Sequence, residues 1–231
     1  MDVYLVPVGR ARYELYCESA NEPVAPTLAQ PSGVWRRLLD TFRSVVEAVE
    51  REHDHRTRGD DPAPPPEGWT GRMRVRVIGW VAEKIAEQRL LWRLQGRESV
   101  RAFFPTSIEE GRAHALIHLN LRSDADRHRW WLGVDTIALL FSLLLTPLPG
   151  PNLPGYYFTF RVVGHFLAWR GAHHGLRAVA WKLEPSSLLA GLCATEGLPP
   201  ADRAERVQAI ARELGLSKLA RFVERTTVDP A

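Results

Sequence analysis

Asp135 and Arg161 are the side chains best placed to do chemistry, because they are the only formal charges in a long apolar stretch. Residues Trp130 to Trp169 read WWLGVDTIALLFSLLLTPLPGPNLPGYYFTFRVVGHFLAW. A charge withdrawn from water is costly unless it is paired or faces a wet cavity, so ionisable groups in such a stretch are functional candidates. The polar residues Asn152 and His165 lie in the same stretch and complete the candidate set.

A second group of polar residues, Glu110, His114 and His118, recurs at intervals of four residues. On a helix this spacing places all three on one face, where two imidazoles one turn apart can bind the same metal ion. No HExxH motif is present, and apolar neighbours indicate a half-buried face. The pattern is therefore a weak indication of a metal site, and we predict no resident metal or cofactor.

The common catalytic motifs are absent from this sequence. It contains no GxSxG, P-loop, GxGxxG or paired CxxC pattern, and Ser186-Ser187 reads as the start of a helix. The net charge is only +3, and the basic residues are all arginine except Lys84, Lys182 and Lys218, which is typical of a GC-rich, bacterial genome. We therefore predict neither an enzyme nor a nucleic-acid-binding protein.

The apolar stretch is interrupted by Pro147, Pro149, Pro151 and Pro154. Proline lacks an amide donor and disfavours helical geometry before it, so the stretch predicts two helices, about 129–146 and 155–171, folded back around a rigid turn. With the reversal at residue 151, Asp135 lies about six residues farther from the turn than Arg161. That offset of roughly 9 Å argues against direct pairing.

The remaining pattern predicts a mainly helical α+β fold. Alternating residues indicate short strands at 3–7, 12–17, 100–104 and 177–183, which we expect to form a small antiparallel sheet packed with helices. We expect an N-terminal β-hairpin and helix over 1–50, a flexible charged linker over 51–69, and a helical α+β region over 70–231 that contains the apolar hairpin 130–170. The first and last regions are also compatible with a single domain.

The flanks of the apolar stretch favour contact with a membrane. Trp130-Trp131 follow Arg127 and Arg129, and Trp169 is followed by Arg170, an arrangement typical of an interfacial belt. Because the turn carries no basic residue, both termini are expected in the cytoplasm. The alternative is a soluble cytoplasmic protein in which the hairpin forms the hydrophobic core.

Two segments resemble the mitochondrial K+/H+ exchange-related family. They are VYLVPVGRARYELYC near the N-terminus and PLPGPNLPGYYFTFRVVGHFLAWRGAHHGL, which carries the Pro-Asn-Leu-Pro turn and the aromatic residues before Arg161. Here Phe160 precedes Arg161 where the family pattern has tyrosine.

The resemblance implies a role in monovalent-cation homeostasis. One hairpin offers little for a solitary transporter, so we expect a membrane-associated accessory protein that works with a protein partner or as a homo-oligomer. The alternative function is a soluble α+β protein-interaction module.

Overall fold

A computed structural model describes residues 1–9, 11–18, 33, 90–143, 153–195 and 197–228. In chain order its elements are β1 (Asp2–Gly9), β2 (Arg12–Tyr16), β3 (Ser99–Pro105), α1 (Glu110–Leu143), α2 (Leu153–Arg177), β4 (Ala180–Ser186), α3 (Ser187–Cys193), α4 (Pro200–Glu213) and α5 (Leu219–Val228). The chain divides into two compact units. The sheet unit comprises 1–22, 97–123 and 176–231, and the helical unit comprises 23–96 and 124–175.

The sheet unit contains all four strands in the order β2-β1-β3-β4. The predicted N-terminal hairpin is confirmed: β1 and β2 pair antiparallel, with Tyr4 opposite Tyr16 and Leu5 opposite Leu15. The prediction of an antiparallel sheet is wrong for the other two pairs, because β1 with β3 and β3 with β4 run parallel. Long segments precede β3 and β4. A long connection can bring the chain back to the end of the sheet where the previous strand began, so that the next strand runs parallel to it.

One face of this sheet is covered by α3, α4 and α5. The shared core is entirely apolar and consists of Val6, Val8, Leu189, Leu192, Val207, Ile210, Ala211, Leu216, Leu219 and Val223. Ser186 caps α3, since its hydroxyl accepts a hydrogen bond from the Leu189 amide, which confirms the predicted helix start. The strand predicted over 177–183 begins later, at Ala180, because α2 continues to Arg177.

Glu18 connects the N-terminal hairpin to the last helix of the sheet unit. Its carboxylate accepts hydrogen bonds from the Lys218 amide at 3.0 Å, from the Ser217 hydroxyl and from the Tyr16 hydroxyl. The Lys218 amide immediately precedes α5, where backbone donors have no partner within the helix. Burial, and then the hydrogen bond to Glu18, raises the pKa of Tyr16.

The two longest helices differ from their predicted bounds. We expected the first helix of the apolar stretch to begin near residue 129, but α1 runs from Glu110 to Leu143 without interruption. No proline or glycine stands between residues 112 and 132, so nothing local stops the helix. Of the predicted turn residues, Pro147, Pro149, Pro151 and Asn152 lie outside the described residues, whereas Pro154 occupies the first turn of α2. Among the described helices, none combines the length and apolar character needed to cross a bilayer.

In the helical unit, a short helical segment at 90–94 packs closely on α2. The indole Nε1 of Trp92 donates to the Gly164 carbonyl at 3.2 Å, and Nε2 of Gln95 donates to the Leu167 carbonyl at 3.0 Å. At Gly171 a Cβ atom would lie 1.8 Å from the carbonyl oxygen of Leu91. The two backbones therefore approach closely at this point.

Candidate functional site

The candidate site is a buried ion pair within the helical unit. Nε of Arg161 on α2 donates to both carboxylate oxygens of Asp135 on α1, each at 3.0 Å. The Asp135 side chain is nearly inaccessible, and that of Arg161 is about one-fifth exposed. Burial of a carboxylate this deeply is costly unless charge-assisted hydrogen bonds compensate for the lost water, and Arg161 supplies two of them.

The prediction that Asp135 and Arg161 would be too offset to pair is wrong. It assumed a reversal centred on residue 151, but α1 ends at Leu143 and α2 begins at Leu153. Asp135 is eight residues before the end of α1, and Arg161 is eight residues after the start of α2. The two residues are therefore level if the helices run in opposite directions.

Two aromatic rings accompany the Arg161 guanidinium. Its Cζ lies 5.5 Å from the centre of the Trp131 ring and 5.8 Å from that of Tyr157, and Nη1 donates to the Tyr157 hydroxyl at 3.4 Å. Burial alone lowers the pKa of Arg161, but the hydrogen bonds to Asp135 and Tyr157 outweigh it and the net shift is upward. Arg161 therefore stays charged and serves as the fixed counter-ion of Asp135.

Two histidines extend the ion pair along the helices. Nε2 of His165, one turn after Arg161, lies 3.4 Å from Oδ2 of Asp135. On its other side, Nδ1 of His165 lies 2.8 Å from Nδ1 of His128, which is 4% exposed. The result is a continuous polar row of Arg161, Asp135, His165 and His128 inside the helical unit.

His128 was not among the residues singled out from the sequence, although a signal for it existed. It precedes Asp135 by seven residues, which is two turns of helix, so the two side chains share a face of α1. The surrounding run of charged residues concealed this spacing, because His128 reads there as one more solvated side chain.

The second half of α1 is inverted relative to an ordinary amphipathic helix. It buries His128, Asp135 and Ser142, and it exposes a row of large apolar residues. We call this row the apolar stripe; it consists of Trp130, Trp131, Val134, Ile137, Leu140 and Phe141. The exposures of Trp130 and Phe141 are 71% and 66%, and a contiguous apolar surface of this kind marks a contact with a membrane or another protein.

The residues of the weak metal pattern lie elsewhere, in the part of α1 that belongs to the sheet unit. The rings of His114 and His118 are 4.4 Å apart, and burial, followed by the proximity of His114, lowers the pKa of His118. Glu110 begins the helix. Within the described ranges, no three histidine, cysteine or acidic side chains come together where they could hold a metal ion.

Comparison with protein families gives a match to part of the chain. Residues 83–178 match the family described as mitochondrial K+-H+ exchange-related. The similarity to this family lies in that segment. The segment contains β3, α1 and almost all of the described helical unit, together with α2. It includes every residue of the buried polar row and of the apolar stripe.

The matched segment confirms the second resemblance noted in the sequence and leaves the N-terminal strand pair outside it. The segment is less than half of the chain. No curated protein and no solved structure gives a significant match.

Proposed function

We propose that the protein is a membrane-associated accessory protein in K+/H+ homeostasis, acting beside a separate transporter or as a homo-oligomer. The observation that carries the proposal is the inverted second half of α1. This half-helix lies inside the segment matched by the K+-H+ exchange-related family, and it turns its polar residues inward and its large apolar residues outward.

The physical argument for membrane association is the unfavourable free energy of exposing the apolar stripe to water. Apolar surface left in water is unfavourable by roughly 25 cal/mol per Å², and transfer of the stripe into the interfacial region of a bilayer recovers this energy. Trp130 and Trp131 stand next to the exposed Arg127 and Arg129, an arrangement suited to anionic lipid headgroups. By the positive-inside tendency, both termini lie on the cytoplasmic side.

We infer an accessory role because the chain has a single apolar segment, 130–170, which is too little to enclose an ion path. A solitary secondary transporter surrounds its ion path with repeated helices near the bilayer midplane, whereas here Arg161 already neutralises Asp135. A cation would have to displace a tethered guanidinium to reach this carboxylate. The row is therefore better suited to sensing or coupling than to conduction.

Vesicle flotation tests the membrane part of the proposal. The full chain should float with vesicles that contain anionic lipid, and Ile137→Lys with Phe141→Lys should abolish flotation because both side chains are exposed and belong to the stripe. The matched control is Leu119→Lys, which is 63% exposed on the same helix but lies in the sheet unit. Equal flotation of all three proteins, or no flotation of the wild type, would contradict the proposal.

Growth of the natural host tests the cation part. A strain that lacks the protein should grow differently from wild type as external potassium is varied, with the difference depending on pH. The wild-type chain should restore growth, and the double lysine variant should not. Identical growth of the deletion strain at every potassium concentration would remove the link to K+/H+ balance.

A second candidate is a soluble protein-interaction module, with the helices as its core. It is favoured by α2, in which Val163, Leu167, Ala168 and Ala172 are fully buried. In that case the apolar stripe contacts a protein. The wild-type chain would then remain in the soluble fraction with any vesicle, and the lysine variants would lose a protein complex.

A further inference from the structure

The Arg161 guanidinium uses only part of its capacity to donate hydrogen bonds. Both bonds to Asp135 come from Nε, and Nη1 donates one long bond, of 3.4 Å, to the Tyr157 hydroxyl. Nη2 has no hydrogen-bond partner among the described residues, and it is not one of their enclosed polar atoms, so water reaches it. The two terminal nitrogens therefore still carry unpaired N–H groups.

The unpaired donors lie along one edge of the guanidinium plane. Such a group can bind an oxyanion through Nε and a terminal nitrogen or through both terminal nitrogens, in each case with two parallel hydrogen bonds. Asp135 occupies the Nε side, so the edge formed by Nη1 and Nη2 is left; we call it the terminal edge. Because the Asp135 side chain is only 3% exposed, a ligand that arrives from water meets the terminal edge and not the carboxylate.

Two partly exposed aromatic rings restrain the terminal edge. The rings of Trp131 and Tyr157 lie 5.5 and 5.8 Å from Cζ of Arg161, and each of the two residues is 41% exposed. Since Nε is also tied to Asp135, the Arg161 side chain has little rotamer freedom left to lose when a ligand binds. A pre-organised pair of donors binds more tightly than a mobile one for this reason.

The terminal edge lies beside the apolar stripe, because Trp131 belongs to the stripe. A helix that lies on a membrane buries its apolar face about 5–10 Å into the boundary between headgroups and acyl chains. Arg161, next to the stripe, is then at the level of the headgroups. The oxyanion at that depth in a phospholipid bilayer is the phosphate group.

We propose that the terminal edge of Arg161 binds the phosphate group of a membrane phospholipid. Such a site deepens the proposed function and rests on it, since it names the lipid group that the membrane-associated face contacts. Asp135 already neutralises the charge of Arg161, so binding comes from directed hydrogen bonds and not from net attraction to an anionic surface. The terminal edge thus requires a phosphate, whereas the exposed Arg127 and Arg129 respond to negative charge of any kind.

Vesicles of equal charge but different phosphate content test the site. In both kinds oleate supplies the same negative charge, and the matrix is either phosphatidylcholine or phosphate-free digalactosyl diacylglycerol. The full chain should bind the phosphate-containing vesicles about tenfold more tightly, as expected for one bidentate charge-assisted pair. Sedimentation of the vesicles with their bound protein measures the two affinities.

Arg161→Lys should bring the ratio of the two affinities close to one. A lysine ammonium keeps the ion pair with Asp135 but has no second planar edge to offer a phosphate. The matched control is Arg177→Lys, the same substitution at an exposed position of α2 outside the helical unit, and it should keep the wild-type ratio. Trp131→Leu is a second variant that disturbs the fold less, because Trp131 is exposed, and it should lower the ratio by removing one supporting ring.

A short-chain phosphatidylcholine below its micelle concentration tests the site without a membrane. In the full chain with ¹⁵N-labelled arginine, the resonance that Arg161→Lys removes should shift on titration and saturate. Inorganic phosphate and acetate should bind more weakly, because neither carries an acyl chain that can contact the neighbouring Trp131 ring. Equal binding of inorganic phosphate would define a site for the free ion, and equal binding of acetate would indicate a carboxylate ligand, as on an acidic protein; either result would overturn the assignment.

The outcomes separate the phosphate site from the membrane role. Binding without preference for the phosphate-containing matrix, or a preference that Arg161→Lys retains, would overturn the site and leave membrane association intact. Failure to bind any vesicle would contradict the proposed function, and the titration with short-chain lipid would then decide whether Arg161 binds a lipid phosphate.

Discussion

At the scale of single residues, the most important property of the buried row is that its members depend on one another. Asp135 is acceptable in the interior because Arg161 and His165 surround its carboxylate, and Arg161 is positioned by Asp135 and by two aromatic rings. Removal of one partner leaves the other buried without compensation, which is usually worse than removal of both.

Arg161→Gln should lower the free energy of unfolding by about 1–3 kcal/mol, because the Asp135 carboxylate loses its two charge-assisted hydrogen bonds. Addition of Asp135→Asn should restore part of that loss, since no unpaired charge then remains. Urea unfolding of the single and double variants measures the coupling. Strictly additive losses would show that the pair is not a unit.

At the scale of elements, the sequence predicted features that depend on neighbouring residues, such as the hairpin and the helix cap. It missed features that depend on distant residues, such as strand direction. Alternation along residues 3–17 was sufficient for the hairpin, and Ser186 was correctly predicted as a helix cap. The direction of β3 relative to β1 depends on the path of a long intervening segment, about which local alternation carries no information.

The candidate site was likewise predicted only in part: its residues were identified, but their contact was not. Asp135, Arg161 and His165 stood out because charge and imidazole are rare in an apolar stretch. Their contact was missed because the register of two helices depends on where each one ends, and an error of a few residues at the turn shifts the pairing by roughly 1.5 Å per residue. The domain boundaries and the linker 51–69 remain predictions.

Close packing of α2 at Gly171 gives a test of the helical unit. Gly171→Ala should destabilise the protein by about 1–3 kcal/mol, because the new methyl group would meet the Leu91 backbone, which cannot move aside as a side chain could. Gly133→Ala on α1 is the control, since nothing lies within 4 Å of its Cβ position.

The control should gain about 0.5–1 kcal/mol from the better helix propensity of alanine. Thermal or urea unfolding of both variants measures the difference. If Gly171→Ala is as stable as Gly133→Ala, the backbones at Gly171 and Leu91 do not approach each other as closely as described.

At the scale of the whole molecule, the sheet unit is assembled from three separate parts of the chain. β1 and β2 come from the N-terminus, β3 follows residue 98, and β4 with the last three helices follows residue 179. The inner strand β3 is hydrogen-bonded on both sides, to β1 and to β4. The sheet therefore cannot be completed without the C-terminal part.

A chain that stops at Ala178 should consequently lose the sheet although it retains the entire segment matched by the family. β3 would become an open edge, and the apolar residues of β1 would lose the cover of α3, α4 and α5. Far-ultraviolet circular dichroism and size-exclusion chromatography should show loss of strand signal and aggregation. A monomeric truncated chain with an unchanged unfolding midpoint would argue against this assembly.

The order of these parts along the chain has a consequence during synthesis. The ribosome completes the apolar stripe at Phe141 before it reaches Ala180, where β4 begins. At roughly 5–20 residues per second, the nascent chain spends a few seconds with the stripe made and the sheet unfinished. During that interval a chaperone or the membrane surface can capture the stripe before the sheet unit folds.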